Sequence, residues 1–232
     1  MIPMNSTFYT RFGKRWFDAA VSLIGLVFLS PLFLVVAVAV RLSSAGSAFF
    51  SQVRVGQFEI PFRILKFRTM RRSPSGSGSL LTAAGDPRIT GLGRWLRKTK
   101  VDELPQILNV LAGDMSLVGP RPEVAIYISN YTAVQKEVFT ARPGITGPSI
   151  ILNEEQLMAG QADKERFYLT TILPAKLQVD LDYCSNITFS GDLYILFLTF
   201  GQLFRTRAHR SNVPNSIVHL ATAPLNARRQ PR

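Results

Sequence analysis

The run AAVSLIGLVFLSPLFLVVAVAV, residues 19–40, holds no charged side chain over 22 positions and is built mainly from Val, Leu, Ala, Phe and Ile. At about 1.5 Å per helical residue it is long enough for a hydrocarbon core of about 30 Å, so it predicts a membrane helix. A cleaved signal peptide would have a shorter apolar stretch and a small-residue cleavage site, and no clear one follows Arg41. Arg11, Lys14 and Arg15 precede the run, and Arg41, Arg54, Arg63 and Lys66 follow it. Basic flanks stay on the cytoplasmic side, so both ends are expected there. Ser30-Pro31 sits in the middle, where proline removes a backbone donor and clashes with the Val27 carbonyl, while the Ser30 hydroxyl can satisfy the freed group. The expectation is a re-entrant helix-break-helix that dips into one leaflet and returns. A kinked single-pass helix is the alternative that charge and kink leave open.

Outward from this run, residues 48–55 and 58–67 are rich in Phe, Val and Ile and meet at Gly56-Gln57, which predicts a short β-hairpin with Pro61 marking an edge strand. It delivers Lys66 and Arg68. Residues 73–85, SPSGSGSLLTAAG, read as a mobile loop flanked by Arg71, Arg72 and Arg88. Residues 89–100 place Trp95 and Leu96 among basic residues and read as an amphipathic segment that runs along a membrane surface or leads into the acids at 102 and 103, with a solvated basic helix face as the alternative. Helices are expected at 124–140, 164–173 and 192–204, the last apolar and too short to span. Residues 205–232 contain no acid and predict a disordered basic tail.

The chain has 27 Lys and Arg against 15 Asp and Glu, a net charge of +12, and six of the arginines lie from Arg205 onward. Such a balance suits a phosphate-rich ligand, an anionic membrane or nucleic acid, and charge alone does not choose among them. Cys184 is the only cysteine, and His209 and His219, the only histidines, lie in the tail. An internal disulfide is excluded, and zinc hydrolase or Ser-His chemistry is disfavoured. The 232 residues suffice for one catalytic domain with an appendage.

Residues 99–123, TKVDELPQILNVLAGDMSLVGPRPE, hold the chemistry-bearing pattern. Asp102 reads as a helix N-cap, with Glu103 in the first turn and Pro105 where its missing N–H costs nothing. Leu104, Ile107, Leu108 and Leu111 form an apolar stripe and Gly113 a left-handed end. A helix start favours anions, so a carboxylate there stays ionised and nucleophilic, with phosphate able to dock beside it. The plain structural reading, in which Asp102 only caps, stands beside this one.

KFRTM at 66–70, DPRIT at 86–90, DELPQILNVLAGDMSLVGPRPE at 102–123 and RPGITG at 142–147, in this order, resemble the bacterial sugar transferases, the monotopic polyprenyl-phosphate phosphoglycosyl transferases that initiate capsule, exopolysaccharide or O-antigen synthesis. The resemblance covers roughly residues 14–204. It implies transfer of a sugar 1-phosphate from a nucleotide diphosphate sugar, usually a UDP-sugar, to polyprenyl (undecaprenyl) phosphate with release of UMP. It implies Asp102 as the nucleophile of a covalent phosphosugar-aspartyl intermediate, and Glu103 as a holder of Mg²⁺. Lys66, Arg68, Arg88, Arg121 and Arg142 are the cations expected around the phosphates, arginine forks matching phosphate oxygens in pairs. Asp86 is a second candidate metal ligand, or only the start of an Asp-Pro turn. Arg121 pairing with Glu123 or Asp114 for purely structural reasons is the competing reading of that residue. Asp180 and Asp182 stay outside the site. Where relatives carry a polar, basic stretch after RPGITG, this chain reads PSIILN at 148–153, which limits the donor to its class.

The expected fold is α+β and mostly helical: a membrane helix with flank at 1–44, a catalytic domain at 45–204 with a short β-hairpin and amphipathic interfacial helices, and the tail at 205–232. The expected location is the bacterial inner membrane, catalytic domain toward the cytoplasm, in contact with membrane lipid. Homo-oligomer formation is left open. A membrane-anchored, non-enzymatic basic adaptor explains charge and anchor but not the acid pair, and no aromatic-rich basic signature for nucleic acid appears. A glycosidase is disfavoured because adjacent acids rarely face each other across a sugar.

Overall fold

A computed structural model of the chain describes residues 7–71, 86–129, 131–152, 157 and 163–204. The loop expected at 73–85 and the tail expected at 205–232 lie outside the described residues. The architecture is mostly helical, with a short antiparallel hairpin and one long apolar N-terminal helix.

A wide turn at Tyr9–Gly13 leads into α1, Lys14–Ser43. Asp18, Ser22, Val36 and Val40 are its buried positions, spaced to share one face, whereas Leu23, Val27, Phe28, Leu34 and Val35 are exposed on the others. Helical structure continues through Ser30-Pro31, so the expected break is not a gap in α1. The donor that Pro31 lacks is replaced, since Ser30 Oγ donates to the Val27 carbonyl at 2.8 Å. The inner face is tied to the rest of the molecule at both ends. Near the start, Arg15 donates to the carbonyls of Val110 and Leu111, and Asp18 accepts from Ser116 Oγ at 2.7 Å and from the Leu117 N–H at 3.2 Å. Near the end, Val36 and Val40 pack with Phe67 and Leu96.

β1, Phe49–Val55, and β2, Pro61–Phe67, pair antiparallel from Phe49↔Phe67 to Val55↔Pro61, the hairpin the sequence predicts. Pro61 opens β2, where a missing N–H does least harm. α2, Gly91–Thr99, begins at Thr90, whose Oγ1 accepts from the Gly93 N–H at 2.9 Å. It buries Leu96 and leaves Trp95 half exposed. α3, Gln106–Ala112, ends at Gly113 in the left-handed region, φ 97°, as the sequence predicts.

The start of α3 and its buried face differ from expectation. Asp102 is not its N-cap; Val101–Glu103 is a separate 3₁₀ turn and α3 begins after Pro105. Lys100 takes φ 60° and turns the chain back after α2, so the two acids sit on a tight corner between helices. The buried positions of α3 are Gln106, Ile107, Asn109 and Val110, while Leu108 stays exposed at the surface. Asn109 goes inward because its amide completes the edge of β2, accepting from the Leu65 N–H at 3.0 Å and donating to the Arg63 carbonyl at 2.7 Å.

β3, Ser116–Val118, pairs in parallel with β4, Gly144–Thr146. The helix expected at 124–140 is a single turn, α4, Ala125–Ile128, followed later by a 3₁₀ turn at Gln135–Thr140. α5, Lys164–Phe167, runs through a wide turn at Tyr168–Ile172 into α6, Leu173–Ser185, and α7 spans Phe189–Phe204. The main core joins Val110, Met115, Val118, Ile172, Leu177 and Leu181. α7 buries Asp192 and Ile195 and exposes Phe189, Leu193, Phe197 and Phe200 along one stripe. Asp192 accepts from Tyr9 Oη at 2.6 Å, Lys14 Nζ at 2.5 Å and Tyr183 Oη at 2.7 Å, joining α7 to the start of α1.

Candidate active site

Three elements meet at the acid pair: β2 with Lys66, the corner between α2 and α3 with Asp102 and Glu103, and the Gly-Pro-Arg-Pro turn after β3 with Arg121. Glu103 Oε1 accepts from Lys66 Nζ at 2.7 Å and from Arg121 Nη2 at 2.9 Å. Arg121 therefore pairs with Glu103, not with Glu123 or Asp114. Burial opposes charge on Glu103, but Arg121, Lys66 and Lys100 outweigh it and hold this carboxyl well below the usual carboxylate range. Lys66 is pushed down by burial, with Glu103 opposing that shift.

Asp102 has the opposite environment. It is 8% exposed, and its Oδ1 is buried with no hydrogen-bond partner among the described residues. Burial raises its pKa and the adjacent Glu103 charge adds to that, while Lys66, Lys100 and Arg97 pull it down. A buried acceptor left without its bond costs the fold about 1–3 kcal/mol, more when charged, and a ligand that engages the oxygen relieves it. The corner thus holds two carboxylates in different surroundings, one paired with two cations and one with an oxygen left bare.

The two Arg-Pro motifs form one structure. Ser116 N–H donates to the Pro143 carbonyl at 2.8 Å, Gly119 N–H to Thr146 at 2.9 Å and Gly144 N–H to Pro120 at 2.9 Å. The backbones approach so closely that a Cβ on Gly119 would lie 2.2 Å from the Arg142 carbonyl oxygen. Beneath Arg121, Glu123 is buried and accepts from Tyr168 Oη at 2.6 Å and Lys176 Nζ at 3.0 Å, with Arg54 3.7 Å away. Arg54, Lys66, Gln106, Arg121 and Gly144 line a small cleft beside the acids.

The other predicted cations have different surroundings. Arg68 is buried and donates to the Ser44 and Val40 carbonyls, closing the end of α1. Arg88 forms a fork with Asp86, Nη2 to Oδ2 at 2.7 Å, and these hydrogen bonds lower the Asp86 carboxyl to about 2. No hydrogen bond or ion pair among the described residues brings the Arg142 side chain to Glu103. No group of three or more His, Cys, Asp or Glu gathers as a metal cage among the described residues. Sequence reasoning missed Lys100, Arg54 and the Glu123–Tyr168–Lys176 network. A lysine in an otherwise apolar stretch of α6 was the available signal for the network.

The chain thus joins a helix long and apolar enough to cross a membrane to a buried acid pair set among lysine and arginine side chains. The sequence profile described as "Bacterial sugar transferase" matches residues 9–206, so the chain belongs to the bacterial sugar transferase family. The UDP-glucose:undecaprenyl-phosphate glucose-1-phosphate transferase of Caulobacter vibrioides is 37% identical over 83% of this chain and 70% of that protein. The UDP-N-acetylgalactosamine-undecaprenyl-phosphate N-acetylgalactosaminephosphotransferase of Aeromonas hydrophila is 36% identical over 81% of this chain and 43% of its own length. The exopolysaccharide production protein ExoY of Sinorhizobium fredii is 35% identical over 80% of this chain and 83% of its own. The chain therefore spans less than half of the Aeromonas relative and most of the other two.

Proposed function

We propose that this phosphoglycosyl transferase moves a sugar 1-phosphate from a UDP-sugar to polyprenyl phosphate, releasing UMP, at the inner face of the bacterial cytoplasmic membrane. The observation that carries the reading is the bare Oδ1 of Asp102 next to a Glu103 already held by Lys66 and Arg121. In the first step Asp102 attacks the sugar-bearing β-phosphorus, the bond to the bridging oxygen breaks, and UMP leaves with that electron pair. In the second, a phosphate oxygen of the lipid attacks the same phosphorus and the Asp102 carboxylate departs. Lys66 and Arg121 set the position of Glu103 and place positive charge beside two anionic substrates.

Glu103 is the residue that would hold Mg²⁺. Lys66 and Arg121 share its Oε1, and no side chain among the described residues takes its Oε2, which suits an ion bound by one or two carboxylates and by substrate phosphates. The ion supplies screening between carboxylate and diphosphate and stabilises charge on the leaving phosphate. Asp86, engaged by Arg88, fits this task less well.

α1 supports a monotopic, re-entrant arrangement, since its start is tied to α3 and β3 and its end to β2 and α2 of the same domain. Its outward apolar side chains, with those of α7, then face lipid. The function is tested by incubating the full chain with Mg²⁺, undecaprenyl phosphate and either UDP-glucose or UDP-N-acetylgalactosamine. UMP release that requires the lipid and is abolished in Asp102→Asn supports the reading; release by that variant at the native rate contradicts it.

A further inference from the structure

The cations acting on Asp102 and Glu103 are Lys66, Arg97, Lys100 and Arg121. Three are committed to protein acceptors: Lys66 and Arg121 to Glu103, and Arg97 to Thr69 Oγ1 at 2.9 Å. The Lys100 side chain is exposed and has no protein acceptor among the described residues. Its backbone is the second observation. Lys100 adopts φ 60°, ψ 11°, a left-handed conformation that glycine takes without strain and lysine does not. The conformation is set by bonds on both sides, since the Lys100 N–H donates to Arg97 at 3.3 Å and its carbonyl accepts from the Glu103 N–H at 3.1 Å. The strained residue thus forms the corner that carries the acid pair, and strain held at such a place points to function.

We propose that Lys100 is a substrate-phosphate-binding residue, held two positions before Asp102 by a left-handed turn and aimed at a phosphate oxygen of the donor diphosphate or of the lipid phosphate. An ammonium on a flexible stem serves as a mobile point charge, complementing the fixed fork of Arg121. The inference rests on the phosphoglycosyl transferase reading and adds a residue to it.

The test compares Lys100→Met, which removes charge and keeps the strain, with Lys100→Gly, which removes both, and with Lys100→Arg. Affinities of the full chain in detergent micelles are measured for UDP with Mg²⁺ and, separately, for farnesyl phosphate. Met and Gly are expected to weaken one of the two ligands about ten-fold, a single charge-assisted contact, with Arg restoring most of it. The arm that weakens names the phosphate. Lys100→Gly is also expected to melt higher than the native chain, a gain that a purely structural lysine would not combine with weaker binding. Native affinity for both ligands in the Met and Gly variants overturns the assignment. An adduct on Asp102 that forms normally in those variants would leave the covalent route standing, so the two claims fail separately.

Discussion

Asp102 and Glu103 are neighbours in the chain and opposites in the fold. Glu103 has its pKa depressed, so it contributes stability above the unfolded carboxylate value, about 4.3, and loses it as pH falls through its lower folded value. Asp102 has its pKa raised, so its contribution is present below the unfolded value and is lost as pH rises through the folded one. At neutral pH the bare carboxylate therefore destabilises the molecule. Asp102→Asn, which should lack turnover, is expected to melt higher than the native chain at pH 7, with the gain vanishing below about pH 4, where the native acid is protonated; thermal scans across pH check this. For the proposed attack the same carboxyl must be ionised, so activity should fall on an acid limb as Asp102 takes up its proton. Lys66→Met removes a charge that lowers the Asp102 pKa, and its residual activity should show that limb displaced to higher pH; an unmoved limb would mean that another group titrates.

At the scale of elements, what was legible in the sequence was what local chemistry decides. The hairpin followed from two β-rich segments around Gly56, and the end of α3 from Gly113. What was not legible depended on partners distant in the chain. Asn109 looks like a surface residue until β2 supplies the Arg63 carbonyl and Leu65 N–H. Asp102 looks like an N-cap until the 3₁₀ turn Val101–Glu103 takes it, leaving α3 to begin after Pro105. Arg68 shared a motif with Lys66, yet it lies just past the end of β2 and donates to the Val40 and Ser44 carbonyls at the end of α1. The parallel contact of β3 and β4 had no signal except two glycine-containing Arg-Pro motifs whose closeness only the fold reveals. Gly119→Ala tests that contact: its methyl would meet the Arg142 carbonyl at 2.2 Å, and overpacking costs about 1–3 kcal/mol or more. The chemical unfolding midpoint should fall and transferase activity with it, because the turn carrying Arg121 must move.

For the whole molecule, α1 is a structural element and the candidate membrane helix. It is long and apolar enough to cross a membrane, yet its inner face contacts the domain near both ends, and its outer face continues the apolar character found on α7. A cysteine introduced at Thr7, in a Cys184→Ser background, should react with a membrane-impermeant maleimide in inverted vesicles and resist it in cells with a permeabilised outer membrane. Labelling from the periplasmic side would replace the re-entrant arrangement by a spanning helix. The chemistry itself is tested most directly by mass spectrometry of the intact chain and its peptides after incubation with Mg²⁺ and a UDP-sugar it turns over, without lipid acceptor. A phosphosugar adduct on the peptide containing Asp102, discharged when undecaprenyl phosphate is added, is the predicted result. Full turnover with no adduct at any time before or after the lipid is added would contradict it and assign the reaction to direct transfer between the two substrates.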